Sequence, residues 1–254
     1  MNSHSSIGSH RANAIAAGVC YIVATVAAIT AVVFYGPSLF EQGQSLPNAD
    51  RAPHIITGVF CDLLVVCSAA GTAIMLFPYI RRYNESLGLV YLCFRWFEAL
   101  IILVGLTAVL TMLSLSQELA ASDASGIKDF SESYSTLKAI HAWTMILGPN
   151  FLLGINTFTY SLVFYRTGLV PRQLAIFGIT GATLIFIAAL LELYGVIEQV
   201  SVAGAMFAFP IFLYEMILAA RLIAKGFNNS GLQMLFPSES TDKKQHYFRQ
   251  VLHN

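Results

Sequence analysis

Six continuous apolar runs are the feature that most constrains how this chain can fold. They cover residues 14–35, 55–79, 87–113, 137–164, 174–193 and 202–224. The hydrocarbon core of a bilayer is about 30 Å thick, and a helix needs about 20 residues to cross it. Because these runs are continuously apolar rather than alternating, helices fit them and a barrel does not. The sequence therefore predicts an all-α bundle of six transmembrane helices.

The low charge content agrees with a lipid-facing surface. Hydrophobic residues make up 56% of the chain and charged residues 11%, whereas soluble domains carry about 25% charged residues. The 14 basic residues balance the 14 acidic ones and form no basic stripe, which excludes nucleic acid as a partner. We expect membrane lipids as the main partner, and the sequence makes no prediction of oligomeric state.

The distribution of Lys and Arg predicts the orientation, because basic loops stay on the cytoplasmic side. With the amino terminus inside, the inner segments carry Arg11, Arg81, Arg82, Arg166, Arg172, Arg221, Lys225, Lys243, Lys244 and Arg249, and the outer segments carry Arg51, Lys128 and Lys138. We therefore predict an N-in, C-in protein of the cell inner membrane. Polar cytoplasmic segments, residues 1–13 and 228–254, flank a transmembrane domain of residues 14–227.

The longer connections fall on the predicted outer side, at residues 36–54 and 114–136. The second contains Asp123, Asp129 and Glu132 among Ser and Gly. This composition is typical of a mobile acidic loop.

Three ionisable residues within the runs predict a buried polar site. Arg95 and Glu98 are three residues apart and share one helix face. Counted from the cytoplasmic ends of their runs, Arg95, Glu98 and Glu215 lie about 12, 16 and 13 Å deep. An ionisable group at that depth must face the bundle interior and find a partner. We therefore expect a bridge between Arg95 and Glu215, with Glu98 nearby.

Two interpretations of this cluster stay open at this point. A buried ion cluster often specifies helix register without any chemistry. Alternatively, two carboxylates against one guanidinium leave a net negative site, so that one glutamate carries a proton or a cationic or hydroxyl-bearing ligand completes the site.

The fourth run carries polar residues beside a proline. Pro149 frees a carbonyl and bends the helix, and Asn150, Asn156 and Tyr160 follow it. Pro210 similarly precedes Glu215. Two proline-bent helices beside the polar cluster favour a cavity over a plain bundle, although small residues such as those at Gly178–Ala182 and Gly204–Ala208 serve helix packing alone.

A weaker polar set lies toward the outer side: Asp62, His141 and Glu192. Such residues at a shared depth can hold a divalent metal or haem. No H-x-x-x-H or E-x-x-H spacing occurs, and we expect His54, His141 and Glu192 to lie close enough to the interface to be simply hydrated. We predict no metal site and no cofactor.

Three segments resemble a bacterial family of small integral membrane proteins known as domain of unknown function 4386. They are the Arg95-x-x-Glu98 step, the loop Tyr165-Arg166-Thr167-Gly168-Leu169-Val170-Pro171-Arg172 with Gly178 following, and Pro210 to Glu215 running into Leu222, Lys225 and Gly226-Phe227. The resemblance runs from about Ala14 to Phe227. It implies a six-helix membrane protein and no particular activity.

The sequence leaves three functions open. The first is binding of a small or lipid-like molecule, or proton relay, at the Arg95/Glu98/Glu215 site with Asn150, Asn156 and Tyr160 as further candidates. The second is an intramembrane enzyme with Glu98 or Glu215 as general acid. The third is a structural or partner-binding bundle. No nucleophile elbow, P-loop, dinucleotide fingerprint or H-E-x-x-H motif occurs, and whether the chain is an enzyme stays open.

The predicted orientation can be tested with reporters. A reporter fused after Phe227 is expected in the cytoplasm, and one inserted near Ser125 outside it. Labelling of a Ser125→Cys variant only from the inside, in a background without the native cysteines, would contradict the N-in arrangement.

Overall fold

The computed structural model describes residues 3–36, 51–121 and 127–237, and within them the regular structure is helical. The helices are α1 (Ser3–Tyr35), α2 (Ala52–Tyr83), α3 (Glu85–Ala121), α4 (Ile127–Ile146), α5 (Leu153–Thr167), α6 (Arg172–Leu193), α7 (Val202–Lys225) and α8 (Asn229–Leu235). A π-helical segment, Leu147–Leu152, joins α4 to α5.

Five of these helices are long and apolar enough to cross a membrane, judged by length and composition: Ser9–Tyr35, Ala52–Tyr83, Glu85–Leu119, Arg172–Leu193 and Val202–Lys225. Their outward faces carry large apolar side chains, such as Val33 and Met206, which are each 71% exposed. Solvent water does not tolerate so continuous an apolar surface, so lipid is its natural surrounding. The chain is a multi-helix membrane bundle.

The fourth predicted run is helical but divided. Residues 137–164 extend from α4 through the π-helical segment into α5, and Pro149 lies inside that segment. Proline has no N–H to donate and its ring crowds the preceding turn, so the backbone widens. The Leu153 N–H then donates to the Gly148 carbonyl, five residues back. The predicted bend at Pro149 takes the form of a π-helical turn.

One end of the bundle gathers the start of α1 and the ends of α5 and α7. The Arg11 guanidinium donates to the carbonyls of Leu222 and Ile223 at 3.0 and 2.6 Å. Asn228, just after α7, donates its side-chain amide to the Gly168 carbonyl at 2.8 Å. Gly168 ends α5 with a φ of 69°, a left-handed conformation that glycine adopts without strain. These contacts satisfy carbonyls that helix ends leave unpaired.

The described part of the polar tail is also structured. Helix α8 packs against this same end of the bundle, where Arg82 donates to the Leu235 carbonyl at 2.9 Å. Phe236 contacts Tyr79 edge to face, with ring centroids 6.0 Å apart. Lys243, Lys244 and Arg249 lie outside the described residues.

The prediction of a long second outer loop is wrong. Helix α3 continues to Ala121 and α4 begins at Ile127, so most of residues 114–136 is helical. Ser114 and Ser116 bond the carbonyls of Leu110 and Leu113 within their own helix, which removes the turn tendency that Ser suggests in isolation. Asp123 lies outside the described residues.

Close packing of α6 against its neighbours rests on Gly178. A Cβ added there would collide with the Tyr214 ring of α7 and with the Ser161 hydroxyl of α5. The expected packing role of the Gly178–Ala182 pair is confirmed for Gly178. Gly204 differs, because its face meets the carbonyls of Glu198 and Gln199 in the preceding loop rather than another helix.

A Gly178→Val variant is expected to lower the free energy of unfolding by about 1–3 kcal/mol, because its side chain would displace Tyr214. Ala220→Val, at an exposed position of α7, serves as the control and should leave stability unchanged. Thermal melts in detergent measure both. Equal melting temperatures for the two variants would mean that α6 is not packed this tightly.

Candidate functional site

The centre of the candidate site is an ion pair within α3. Arg95 Nη1 donates to both carboxylate oxygens of Glu98, at 3.1 and 2.9 Å, and the two residues are 3% and 4% exposed. Arg95 Nε and Nη2 both donate to the Thr72 hydroxyl of α2, at 3.1 and 3.0 Å. The guanidinium therefore has a charged partner on its own helix and a polar partner on α2.

Asn156 completes the coordination of Glu98. Its side-chain amide donates to Glu98 Oε2 at 2.7 Å and is fully buried. Asn156 lies on α5, just after the π-helical segment, so the widened turn sets the position from which this amide reaches α3. The ion pair is thus held by α2, α3 and α5 together.

The predicted bridge between Arg95 and Glu215 is wrong. Arg95 pairs with Glu98, and Glu215 forms no ion pair among the described residues. A residue three positions away on the same helix reaches the guanidinium without any adjustment between helices, which favours Glu98. Glu215 instead faces the same space from α7, and the Thr25 hydroxyl of α1 lies near it without reaching hydrogen-bond geometry.

Arg95, Glu98 and Glu215 line one cavity of about 220 Å³. Asn150 is the fourth predicted residue in its wall. The remaining lining is mostly apolar and comes from every part of the bundle: Tyr21, Ala24, Thr25, Ala28, Ile29, Val65, Ala69, Ile102, Pro149, Leu153, Ile185, Ala208, Ile211 and Phe212. The predicted cavity beside the two proline-containing helices is present, and its polar lining residues include Arg95, Glu98 and Glu215.

Tyr160 lies in a cluster of buried tyrosines rather than in the cavity wall. Its ring centroid is 6.1 Å from those of Tyr21 and Tyr91 and 6.3 Å from that of Tyr214. Tyr91 donates to the Thr72 carbonyl at 3.2 Å, and Tyr214 shares a hydrogen bond with Ser161 at 2.8 Å. Within the described part of the chain, the hydroxyls of Tyr21 and Tyr160 have no hydrogen-bond partner.

Sequence reasoning missed Thr72 and the three other tyrosines of this cluster. Tyrosine is common at membrane interfaces, so its presence in an apolar run does not by itself indicate a buried site. The available signal was spacing: Tyr91, Arg95 and Glu98 fall on one face of α3.

The outer polar set does not assemble. Glu192 accepts a hydrogen bond from Asn150 at 2.7 Å, which ties the end of α6 to the π-helical segment. Asp62 accepts from the Tyr35 hydroxyl at 2.7 Å, and His141 packs edge to face on Tyr35 with centroids 5.9 Å apart. The side chains of Asp62, His141 and Glu192 are buried, so the prediction that His141 and Glu192 are hydrated is wrong.

This arrangement gives no metal centre in the described part of the chain. No group of three or more His, Cys, Asp or Glu side chains comes close enough there to hold a metal ion. Asp62 and His141 share Tyr35 as a neighbour, while Glu192 is bonded to Asn150 instead.

The comparisons with known proteins identify the family and nothing more specific. The family described as domain of unknown function (DUF4386) matches residues 16–226. The match covers most of the chain, so the protein belongs to this family. No curated protein and no solved structure matches it.

Arg95→Met and Glu98→Gln should each lower the free energy of unfolding by about 3–5 kcal/mol, because each leaves one charge buried without its partner. The double variant should recover part of the loss, with a coupling energy of about 1–3 kcal/mol. Thermal or denaturant melts in detergent measure all three.

The matched control combines Arg95→Met with Glu215→Gln. Because these two residues form no ion pair, their coupling energy should be smaller than that of Arg95→Met with Glu98→Gln. A larger coupling for Arg95 with Glu215 than with Glu98 would contradict the pairing described above.

Proposed function

We propose that this protein binds a small or lipid-like amphipathic molecule in the cavity that contains Arg95, Glu98 and Glu215. The supporting observation is that one cavity combines a mostly apolar wall with a few polar and ionisable groups, among them Arg95, Glu98 and Glu215. Ligand sites in proteins share this construction, because apolar walls supply affinity and a few polar groups fix orientation.

The size of the cavity limits what it can hold. A volume of about 220 Å³ lies below the roughly 300–1,000 Å³ of pockets for drug-sized ligands. The proposed occupant is therefore a small molecule, or the polar head of a lipid-like molecule with the first part of its chain. Ile102, Leu153 and Ile185 supply apolar surface for such a chain.

We also infer a six-span arrangement in the cell inner membrane, with both ends cytoplasmic. The divided helical run from α4 to α5 supplies the sixth crossing. The contacts of Arg11 with the end of α7, and of Asn228 with the end of α5, support an even number of passes. The basic residues at this end of the bundle support its cytoplasmic location.

Proton relay is the second candidate, and Glu215 favours it. Its carboxylate lines the cavity without an ion pair among the described residues, and buried acids of this kind carry protons in membrane transporters. Reconstituted vesicles with an internal pH dye would test it. Proton flux that is lost in Glu215→Gln, without any bound molecule, would favour relay over binding.

An intramembrane enzyme and a purely structural bundle remain the other candidates. Glu215 is the carboxylate best placed to act as a general acid, since Glu98 is occupied by Arg95 and Asn156. A lipid that is chemically altered during incubation with the protein would favour the enzyme. The structural bundle would be favoured if a substitution that fills the cavity changed neither ligand binding nor turnover.

Native mass spectrometry of the protein extracted in mild detergent is the test of the binding proposal. The wild-type protein should carry a bound molecule, seen as a discrete added mass. Ala208→Phe should abolish it, because this residue lines the cavity and a phenyl ring would fill the space.

Ala205→Phe is the matched control, since it makes the same change three residues away at an exposed position outside the cavity. It should retain the bound mass. Absence of any added mass in the wild-type protein, or its equal retention in both variants, would overturn the proposal.

A further inference from the structure

The cavity has one side on which its lining residues are exposed. Ile29 of α1 is 53% exposed and Phe212 of α7 is 36% exposed, and both line the cavity. Ala28 of α1 is likewise an exposed lining residue. On the outer surface of a membrane bundle this exposure faces acyl chains. The cavity therefore opens sideways between α1 and α7.

The same two helices are closed at the end of the bundle that holds Arg11. A Cβ added at Gly18 would lie 2.9 Å from the Ala219 carbonyl oxygen, so the two backbones are in contact there. Gly18 lies about two turns before the cavity residue Thr25 and about three turns before Ile29, so contact between the two helices gives way to an opening farther along them. The opening therefore ends where α1 and α7 come into contact, toward the end of the bundle that holds Arg11.

The ionisable residues that line the cavity differ in whether they have a charged partner. Arg95 is neutralised by Glu98, whereas Glu215 lines the cavity without an ion pair among the described residues. Among the described residues, the Tyr21 hydroxyl, on a side chain that is 1% exposed, and the Thr25 hydroxyl have no hydrogen-bond partner, and both side chains line the same cavity. A carboxylate without an ion pair and two hydroxyls without partners together suit a group that carries positive charge and N–H donors.

We propose that the ligand is a long-chain amine that reaches the cavity sideways from the bilayer, between α1 and α7, and sets its ammonium group against Glu215. This inference rests on the proposed function, because it names the chemical class of the molecule bound there. The ammonium donates to the Glu215 carboxylate and to the Tyr21 oxygen. The alkyl chain extends past Ile29 and Phe212 into the lipid.

The test uses the full chain in nanodiscs of phosphatidylcholine with four probes: dodecylamine, dodecanol, dodecanoate and n-butylamine. Dodecylamine should raise the melting temperature saturably, at a half-saturating concentration at least tenfold below that of dodecanol. Dodecanoate should have no effect, because its charge repels Glu215. Water-soluble n-butylamine should also have none, because it lacks the chain that delivers it from the bilayer.

Two variants separate the charge from the cavity. Glu215→Gln should remove the tenfold preference for the amine, and Glu215→Asp, which keeps the carboxylate, should restore most of it. Equal binding of dodecylamine and dodecanol in all three proteins would overturn the amine proposal and leave the binding cavity intact. If none of the four probes bound to the wild-type protein, the result would instead contradict the proposed function itself.

The sideways route has its own control pair. Ile29→Trp places an indole ring at the opening. Val33→Trp places the same ring one turn away, at a position that is 71% exposed and does not line the cavity. Transfer of dodecylamine from the protein to excess phosphatidylcholine vesicles, followed by native mass spectrometry, should slow at least fivefold in Ile29→Trp only. Equal rates in both variants would exclude the opening between α1 and α7 as the route.

Discussion

The buried guanidinium of Arg95 is the constraint on which the interior of this bundle depends. An unpaired charge inside a membrane protein costs several kcal/mol, so the surrounding helices must supply partners for it. Glu98 neutralises its charge, and the Thr72 hydroxyl accepts from two of its nitrogens. Asn156 then supplies a donor to Glu98. Helices α2, α3 and α5 are held in one register by this single network.

This network explains why the π-helical turn lies where it does. Asn150 and Asn156 lie on either side of Leu153, and each must reach a different carboxylate: Glu192 on α6 for Asn150 and Glu98 on α3 for Asn156. A widened turn at Pro149 changes the angular offset between the two side chains, because a π-helical turn takes more residues than an α-helical one. The irregular backbone is tolerated there since it borders the cavity and is buried in the bundle rather than exposed to lipid.

The sequence predicts the helices well and the partners within the site less well. The apolar runs 174–193 and 202–224 match α6 and α7 to within two residues at each end, because the thickness of the bilayer imposes a length on them. Helices α1 and α3 extend beyond their runs, to Ser3 and to Ala121. Arg95, Glu98, Glu215 and Asn150 line one cavity, whereas the candidates Asn156 and Tyr160 are not among its lining residues. Depth in the membrane indicates that an ionisable group faces the interior, and it does not specify which polar neighbours meet there.

Which carboxylate pairs with Arg95 could not be read from depth alone. Depth places Glu98 and Glu215 at almost the same level, and the choice between them depends on the rotation of α7 about its axis. That rotation is set by packing, in particular by Gly178 against Tyr214, the neighbour of Glu215 in sequence. The contacts of the buried outer residues could not be predicted for the same reason. The hydrogen bond from Tyr35 to Asp62 joins two helices, and neither apolar run specifies where those helices meet.

A purely structural role accounts for Arg95 and Glu98 but not for the groups that surround them. A network whose only task is to fix register is best when each member is satisfied, because a buried polar atom without a partner costs about 1–3 kcal/mol. The buried hydroxyls of Tyr21 and Tyr160 find no hydrogen-bond partner among the described residues, and Glu215 adds a carboxylate that the ion pair does not need. Phenylalanine at both tyrosines and leucine at Glu215 would pack the same helices at less cost. Tyr21, Tyr160 and Glu215 border or adjoin one cavity, and the exposed residues of its lining include Ile29 on α1 and Phe212 on α7. A molecule delivered by the bilayer would supply the polar partners that the bundle itself does not.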